Sequence, residues 1–227
     1  MMNELLWFAF ALANFILFLG MYKLFGKTGI FVWVAISTII ANIQVTKNIT
    51  LFGVEATLGN ITYGTIFLAT DALNEIYGKK SAQKAVLMGF YVMVATVVLM
   101  QMAIWFIPST SDLNNDALRS IFGFFPRLLG ASLTAFLISQ FLDVHLFQKI
   151  REKLPSDKFL WVRNNGSTFI SQLVDTAIFV PIAFLGVYSG SVLLQIGLTT
   201  YLIKVIVAML DTPFLYICKR IIPFDNN

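Results

Sequence analysis

The sequence has little of what most enzymes and soluble domains are built from. Among 227 residues there is one cysteine, Cys218, and one histidine, His145. A lone cysteine forms no internal disulfide and anchors no thiolate metal cluster. A lone histidine excludes a zinc-protease H-E-x-x-H motif and leaves no second imidazole for acid–base work. Charge is scarce too. Asp, Glu, Lys and Arg make up 12% of the chain, against roughly 25% in soluble domains. That is too little to cover a water-soluble surface or to keep a chain disordered. What fills the space is apolar: 58% of the residues are hydrophobic, with 22 Phe.

A hydrocarbon core of about 30 Å needs about 20 apolar residues as helix. Seven stretches qualify, at 5–22, 29–46, 57–77, 85–107, 124–147, 165–187 and 191–217. The expected fold is therefore all-α: a polytopic membrane helical bundle forming one integral membrane domain over 1–227. The first stretch lacks the basic start, short apolar run and small-residue cleavage site of a secretory signal, so it is expected to remain as a helix.

Lys and Arg loop bias sets orientation in membranes. With the N-terminus outside and the C-terminus cytoplasmic, the cytoplasmic side receives Lys23, Lys27, Lys79, Lys80, Lys84, Lys149, Arg151, Lys153, Lys158, Arg163, Lys219 and Arg220. The outside receives Lys47, Arg119 and Arg127, of which Arg127 reads as a headgroup anchor. The net charge of +4 is then explained by loops facing anionic lipid. The lipid bilayer is the expected partner, and nucleic acid is not.

Some charges do not fall in loops. An ionisable group at a helix centre costs about 2.5–3.5 kcal/mol on insertion scales, so it faces a partner or a watery cavity. Stretches one, two and four carry none. The third carries Asp71 and Glu75, the fifth Asp143 and His145, the sixth Asp175, and the seventh Lys204 and Asp211. By helical rise, Asp175 lies roughly 15 Å and Lys204 roughly 20 Å into their stretches. Lys204 reads equally as an ion-pair partner of Asp175 or Asp71 and as a direct ligand. Glu75, Asp211 and His145 read as interfacial side chains that reach water.

Two of these stretches share a pattern. Ile138-Ser139-Gln140-x-x-Asp143 with Phe147 matches Ile170-Ser171-Gln172-x-x-Asp175 with Phe179. Each puts a hydroxyl, an amide, a carboxylate and a ring on one broad helix face. The two stretches run in opposite directions, as in the inverted repeats of transporters. Further candidates are Asn42 and Gln44, Asn74, and Arg163-Asn164-Asn165-Gly166-Ser167-Thr168. There, Asn165-Gly166 reads as a turn, with Ser167 or Thr168 capping the sixth helix. Arg163 reads either as part of that local structure or as a contact to an anion or a polar substrate edge.

Other apparent motifs fail. Gly26-Lys27-Thr28 resembles the end of a phosphate-binding loop, but Met21 stands where that loop needs glycine. Asp71 and Glu75 are spaced as a helical acid pair but lack the further ligands of a metal site. No cofactor is expected, and the lack of a nucleophile–base pair argues against an intramembrane enzyme.

Four motifs in order carry a resemblance: Thr70-Asp71-Ala72-Leu73-Asn74-Glu75-Ile76-Tyr77-Gly78, then Ser139-Gln140-x-x-Asp143, then Arg163-Asn164-Asn165-Gly166-Ser167-Thr168, then Ser171-Gln172-x-x-Asp175-Thr176. Together they resemble the queuosine precursor transporter family, over about Ile40 to Pro213. The resemblance implies a transporter in the bacterial inner membrane importing 7-cyano-7-deazaguanine or its aminomethyl relative. It also implies a six-helix core similar to the substrate-binding components of energy-coupling-factor transporters, here with an extra N-terminal helix. A binding subunit that needs a separate energy-coupling module is the alternative, and oligomerisation is left open. The residues suited to a flat, N–H-rich ligand are Asp71, Glu75, Gln140, Asp143, Gln172, Asp175, Lys204, Asn42, Phe67 and Asn165. Carboxylates and amides would meet the ligand's edge, and a ring such as Phe67 would stack on its face.

Overall fold

Gly26 decides the path of the first 44 residues. The computed structural model describes residues 2–123, 126–186 and 189–224. In it, α1 (Met2–Gln44) is two helical limbs joined at Gly26, whose φ of 51° and ψ of −136° are non-helical. Glycine reaches that conformation without Cβ strain. The limbs fold back on each other: Phe18 and Trp33, 15 positions apart, bring their ring centroids to 6.0 Å. Gly29 lies so close to the first limb that a Cβ there would stand 2.3 Å from the Met21 carbonyl oxygen. The first limb is an integral part of the bundle, with Phe15 stacked on Phe214 at 4.5 Å.

A two-stranded antiparallel ladder follows, β1 (Asn48–Leu51) on β2 (Val54–Thr57). Next come α2 (Asn60–Tyr77), α3 (Lys79–Trp105), the short α4 (Asn115–Leu118), a π-turn at Arg119–Gly123, α5 (Pro126–Lys153), a 3₁₀ turn at Asp157–Phe159, α6 (Leu160–Phe184) and α7 (Gly190–Arg220). Side chains of residues 126–129 lie outside the described residues, so the anchoring role expected of Arg127 is not addressed. Among the described residues, five helices are long and apolar enough to cross a membrane: α1, α3, α5, α6 and α7.

The helix missing from that group is the central one. Of the 18 residues of α2, only Tyr63, Ile76 and Tyr77 are not buried. It packs on α1, α3, α5 and α7, so protein rather than lipid surrounds it and its polar residues meet partners. By contrast, α3 buries few residues and exposes Leu87, Tyr91, Leu99 and Trp105, as a lipid-facing helix does.

The ends of the bundle are fixed by cross-chain contacts. Asn3 donates to the Thr50 carbonyl, and the Phe52 N–H donates to Glu4, near β1. At the opposite end Lys23 donates to the Ile222 carbonyl. The turn expected at Asn165–Gly166 is absent. Helix α6 begins at Leu160 and runs straight through this dipeptide, because Asn164 and Asn165 find partners on α7 (Asp211 and Thr212) and Gly166 lies against Ile150 of α5.

Candidate functional site

Four helices supply the polar interior: α2, α5, α6 and α7. Their polar side chains fall at three levels along the bundle. One residue in every turn or two faces inward, which is the spacing that stacks groups on one helix face.

The first level, toward the β1–β2 end, centres on Asp175. One of its oxygens accepts from the Tyr63 hydroxyl at 2.8 Å and the Ser139 hydroxyl at 3.0 Å. The other is paired with the Lys204 ammonium, which also lies 4.9 Å from the centre of the Tyr63 ring. Lys204 is thus the partner of Asp175, not of Asp71. Both charges are buried, and both carboxylate oxygens are occupied. Tyr63 also meets Phe67 edge-on at 5.7 Å. Gln140 accepts from Thr70 at 3.1 Å, but its Nε2 has no partner, nor do Gln172 Oε1 and Thr176 Oγ1.

The second level is acidic. Ser171 donates to Asp143 at 2.9 Å, and Thr168, one turn away, lies 3.4 Å from Asp71. Asp71 and Asp143 therefore converge on a single turn of α6. Asp211, 1% exposed, is held by Asn164 at 2.8 Å. It is not the interfacial side chain that its place near the end of the seventh stretch suggested, because α6 covers it. Asp71 Oδ1, Asp143 Oδ2 and Asn164 Oδ1 are buried without partners.

The shared pattern of α5 and α6 closes on itself between these two levels. Ser139 of the first copy binds Asp175 of the second, and Ser171 of the second binds Asp143 of the first. Antiparallel neighbours carrying the same motif make this reciprocal pairing naturally. Each serine meets the carboxylate of the other copy, which stands four residues after that copy's own serine.

The third level is at the Lys23–Ile222 end. Glu75 is 5% exposed, not solvated as expected of an interfacial acid. Arg163 reaches it at 2.9 Å, Lys219 at 2.8 Å and Arg151 at 3.7 Å. Lys219 also pairs with Asp157. The guanidinium of Arg163 is fully buried, and its Nη1 donates to the carbonyls of Leu154, Pro155 and Ser156. These groups and Glu75 occupy its two Nη atoms, while its Nε is buried without a partner. Arg151 donates to the Asn74 carbonyl, and Asn74 to that of Val144.

Of the ten residues expected to bind, Asp71, Glu75, Gln140, Asp143, Gln172, Asp175 and Lys204 share this interior. Phe67 is buried beside Tyr63. Asn165 binds Thr212 at 2.7 Å and the Trp161 carbonyl. Asn42 stands apart, against Met93 and the Thr38 carbonyl, on a mostly apolar cleft between α1, α3 and the π-turn. His145 is exposed and bonds only the Phe141 carbonyl. Tyr63 was not anticipated, because a tyrosine in an apolar helix reads as packing. Its position one turn before Phe67 on a helix carrying buried acids was the available signal.

Comparison with known proteins gives a consistent result. A family model described as "Putative vitamin uptake transporter" matches residues 57–218. The chain is 50% identical over its full length to the "Probable queuosine precursor transporter" of Bacillus subtilis, covering 99% of that protein. It is 27% identical to the "Queuosine precursor transporter" of Escherichia coli, over 74% of this chain and 75% of the other. It is also 27% identical to the "Probable queuosine precursor transporter" of Haemophilus influenzae, over 70% of this chain and 66% of that protein. No solved structure matches.

Proposed function

The chain belongs to the queuosine precursor transporter family, and from that premise we propose that it imports a 7-deazaguanine, the 7-cyano form or its aminomethyl relative, across the bacterial cytoplasmic membrane. The observation that carries this reading is the pair of glutamines in the repeated motif. Gln140 and Gln172 are buried, and each leaves one amide atom unused, a donor on Gln140 and an acceptor on Gln172. A buried polar atom without a partner is costly unless a ligand completes it. A guanine-like edge has the complementary pattern: a carbonyl oxygen beside a ring N–H and an exocyclic amine.

In this reading Asp175 does not touch the ligand in the state described here. Its oxygens are taken by Tyr63, Ser139 and Lys204, and it fixes the polar interior in place. Release of one of these partners would free it to accept from the ligand. In this reading the Glu75 cluster closes the polar interior on the side that the Lys and Arg bias gives to the cytoplasm, with the N-terminus outside. Alternating access then requires that cluster to part while the Asp175 level closes.

The test is uptake of labelled 7-cyano-7-deazaguanine by the purified protein in liposomes. Saturable uptake is expected without any added energy-coupling module. Gln140→Leu, Gln172→Leu and Asp175→Asn are each expected to abolish it while leaving the protein folded in the membrane. Wild-type uptake by all three variants would sink the site assignment. A dependence on a separate module would sink the reading as a self-sufficient transporter.

A further inference from the structure

The second level poses a charge problem that the substrate reading leaves open. Asp71 on α2, Asp143 on α5 and Asp211 on α7 are buried at 0%, 0% and 1% exposure. Among the described residues none of them forms an ion pair. The cations that reach the interior from the surrounding helices are engaged elsewhere. Lys204 is on Asp175, while Arg151, Arg163 and Lys219 are on Glu75. What faces the three acids is neutral: Thr168, Ser171 and Asn164 of α6. Isolated carboxylates in such a place are very costly unless a cation or a proton neutralises them.

The geometry favours a proton. Thr168 and Ser171 draw Asp71 and Asp143 to one turn of α6, and each acid keeps one buried oxygen with no partner. Two buried carboxyl groups brought together in this way hold one proton between them more readily than both ionise. A second observation points the same way. The amide of Asn164 donates to Asp211 and Thr212, yet its own oxygen is buried without a donor. An unfilled acceptor on an amide that faces a carboxylate calls for an O–H beside it. No group of three or more metal-ligating side chains occurs among the described residues.

We propose that the Asp71–Asp143 pair is a proton-binding site that couples proton entry to substrate entry, with Asp211 as the next acceptor toward the Glu75 end. This rests on the transport reading above. A proton from outside water joins the pair as the polar interior loads. It passes to cytoplasmic water when the Glu75 cluster parts, and no bond to the substrate forms or breaks. Asp211 is placed for that exit. Its partner Asn164 adjoins Arg163 of the third level, whereas Asp143 bonds Ser171, two turns back along α6. One proton moving with a neutral substrate carries one positive charge inward.

The test uses the purified full-length chain in liposomes containing a trapped pH dye, with 7-cyano-7-deazaguanine as the probe. Counterflow of labelled probe at equal pH reports transport alone. Addition of probe outside is expected to acidify the lumen. An inward gradient of one pH unit is expected to raise steady-state accumulation about tenfold, the free energy of one proton per substrate. Asp71→Asn and Asp143→Asn are expected to lose both proton-linked signals, and wild-type acidification by both variants would overturn the assignment to this pair. Intact wild-type counterflow with no acidification and no accumulation would overturn the proposal and leave the transport reading standing. Absence of counterflow would remove both. These wild-type arms decide the matter even if a variant does not fold.

Discussion

Glu75 and Asp71 lie on neighbouring turns of the same buried helix, yet Glu75 and the Asp71–Asp143 pair solve the cost of burial in opposite ways. Glu75 is surrounded by Arg163, Lys219 and Arg151, each from a different helix. Asp71 and Asp143 have neutral hydroxyl donors, Thr168 and Ser171, and no cation among the described residues. One arrangement ties four helices together through fixed charges. The other leaves its neutralising charge to come from outside the chain. A buried charge that must stay put is paired within the protein, and one that must change state is not. The comparison predicts that substitutions at the two places differ in sign as well as size.

The largest effect is expected at Arg163. Replacing Arg163 with Leu leaves Glu75 buried against two partly exposed cations and strips three carbonyls at the end of α5 of their donor. Breaking a buried pair by removing one partner costs about 3–5 kcal/mol, so thermal unfolding in detergent should show a large drop in midpoint. Asp143→Asn is the counterpart. It removes a carboxylate with no cation and keeps the shape, so stability should be unchanged or raised. An equal loss in both variants would erase the distinction between them.

Next is Lys204, which stands between the two cases. Its ammonium is paired, but Asp175 keeps Tyr63 and Ser139 if Lys204 goes. Lys204→Met should therefore cost less than Arg163→Leu, about 3 kcal/mol. The double variant with Asp175→Leu should recover most of that loss, since replacing both members of a buried pair with apolar groups is often neutral. A purely additive double-mutant cycle would show that the pair is not coupled.

How much of this was readable beforehand follows from what each feature depends on. Helices and buried charges depend on composition along one segment. The membrane bundle and the costly Asp71, Asp143, Asp175 and Lys204 were therefore visible, and the family was visible through the resemblance of its four ordered motifs. The repeated Ser-Gln-x-x-Asp motif was visible as a repeat. Its crossed bonding was not, because that requires α5 and α6 to be antiparallel neighbours in a particular register. Arg163 was noticed, but the contacts it makes were not. Its partners are carbonyls at the end of another helix and an acid 88 positions away, which no local spacing encodes. The Asn165–Gly166 turn failed because dipeptide preference is weak and tertiary partners on α5 and α7 outweighed it. Glu75 and Asp211 were read as solvated from depth alone, and depth does not reveal which neighbouring helix covers a residue.

The smallest effect is expected at Lys219, and it tests whether burial or the number of charges sets the strength of the Glu75 cluster. The Lys219 side chain is 31% exposed, and its other partner Asp157 is 71% exposed. Water screens both interactions, and exposed pairs typically contribute about 0.2–1 kcal/mol. Lys219→Gln should thus lower stability by no more than about 1 kcal/mol, and the difference from wild type should shrink in high salt. The fully buried Arg163 contact should show no comparable salt sensitivity. Unfolding midpoints for the two variants at low and high salt give both slopes. If Lys219→Gln cost as much as Arg163→Leu, Glu75 would be held by the sum of its cations. Its contrast with Asp71 and Asp143 would then lie in charge count, and the fixed lock would rest on all three helices equally.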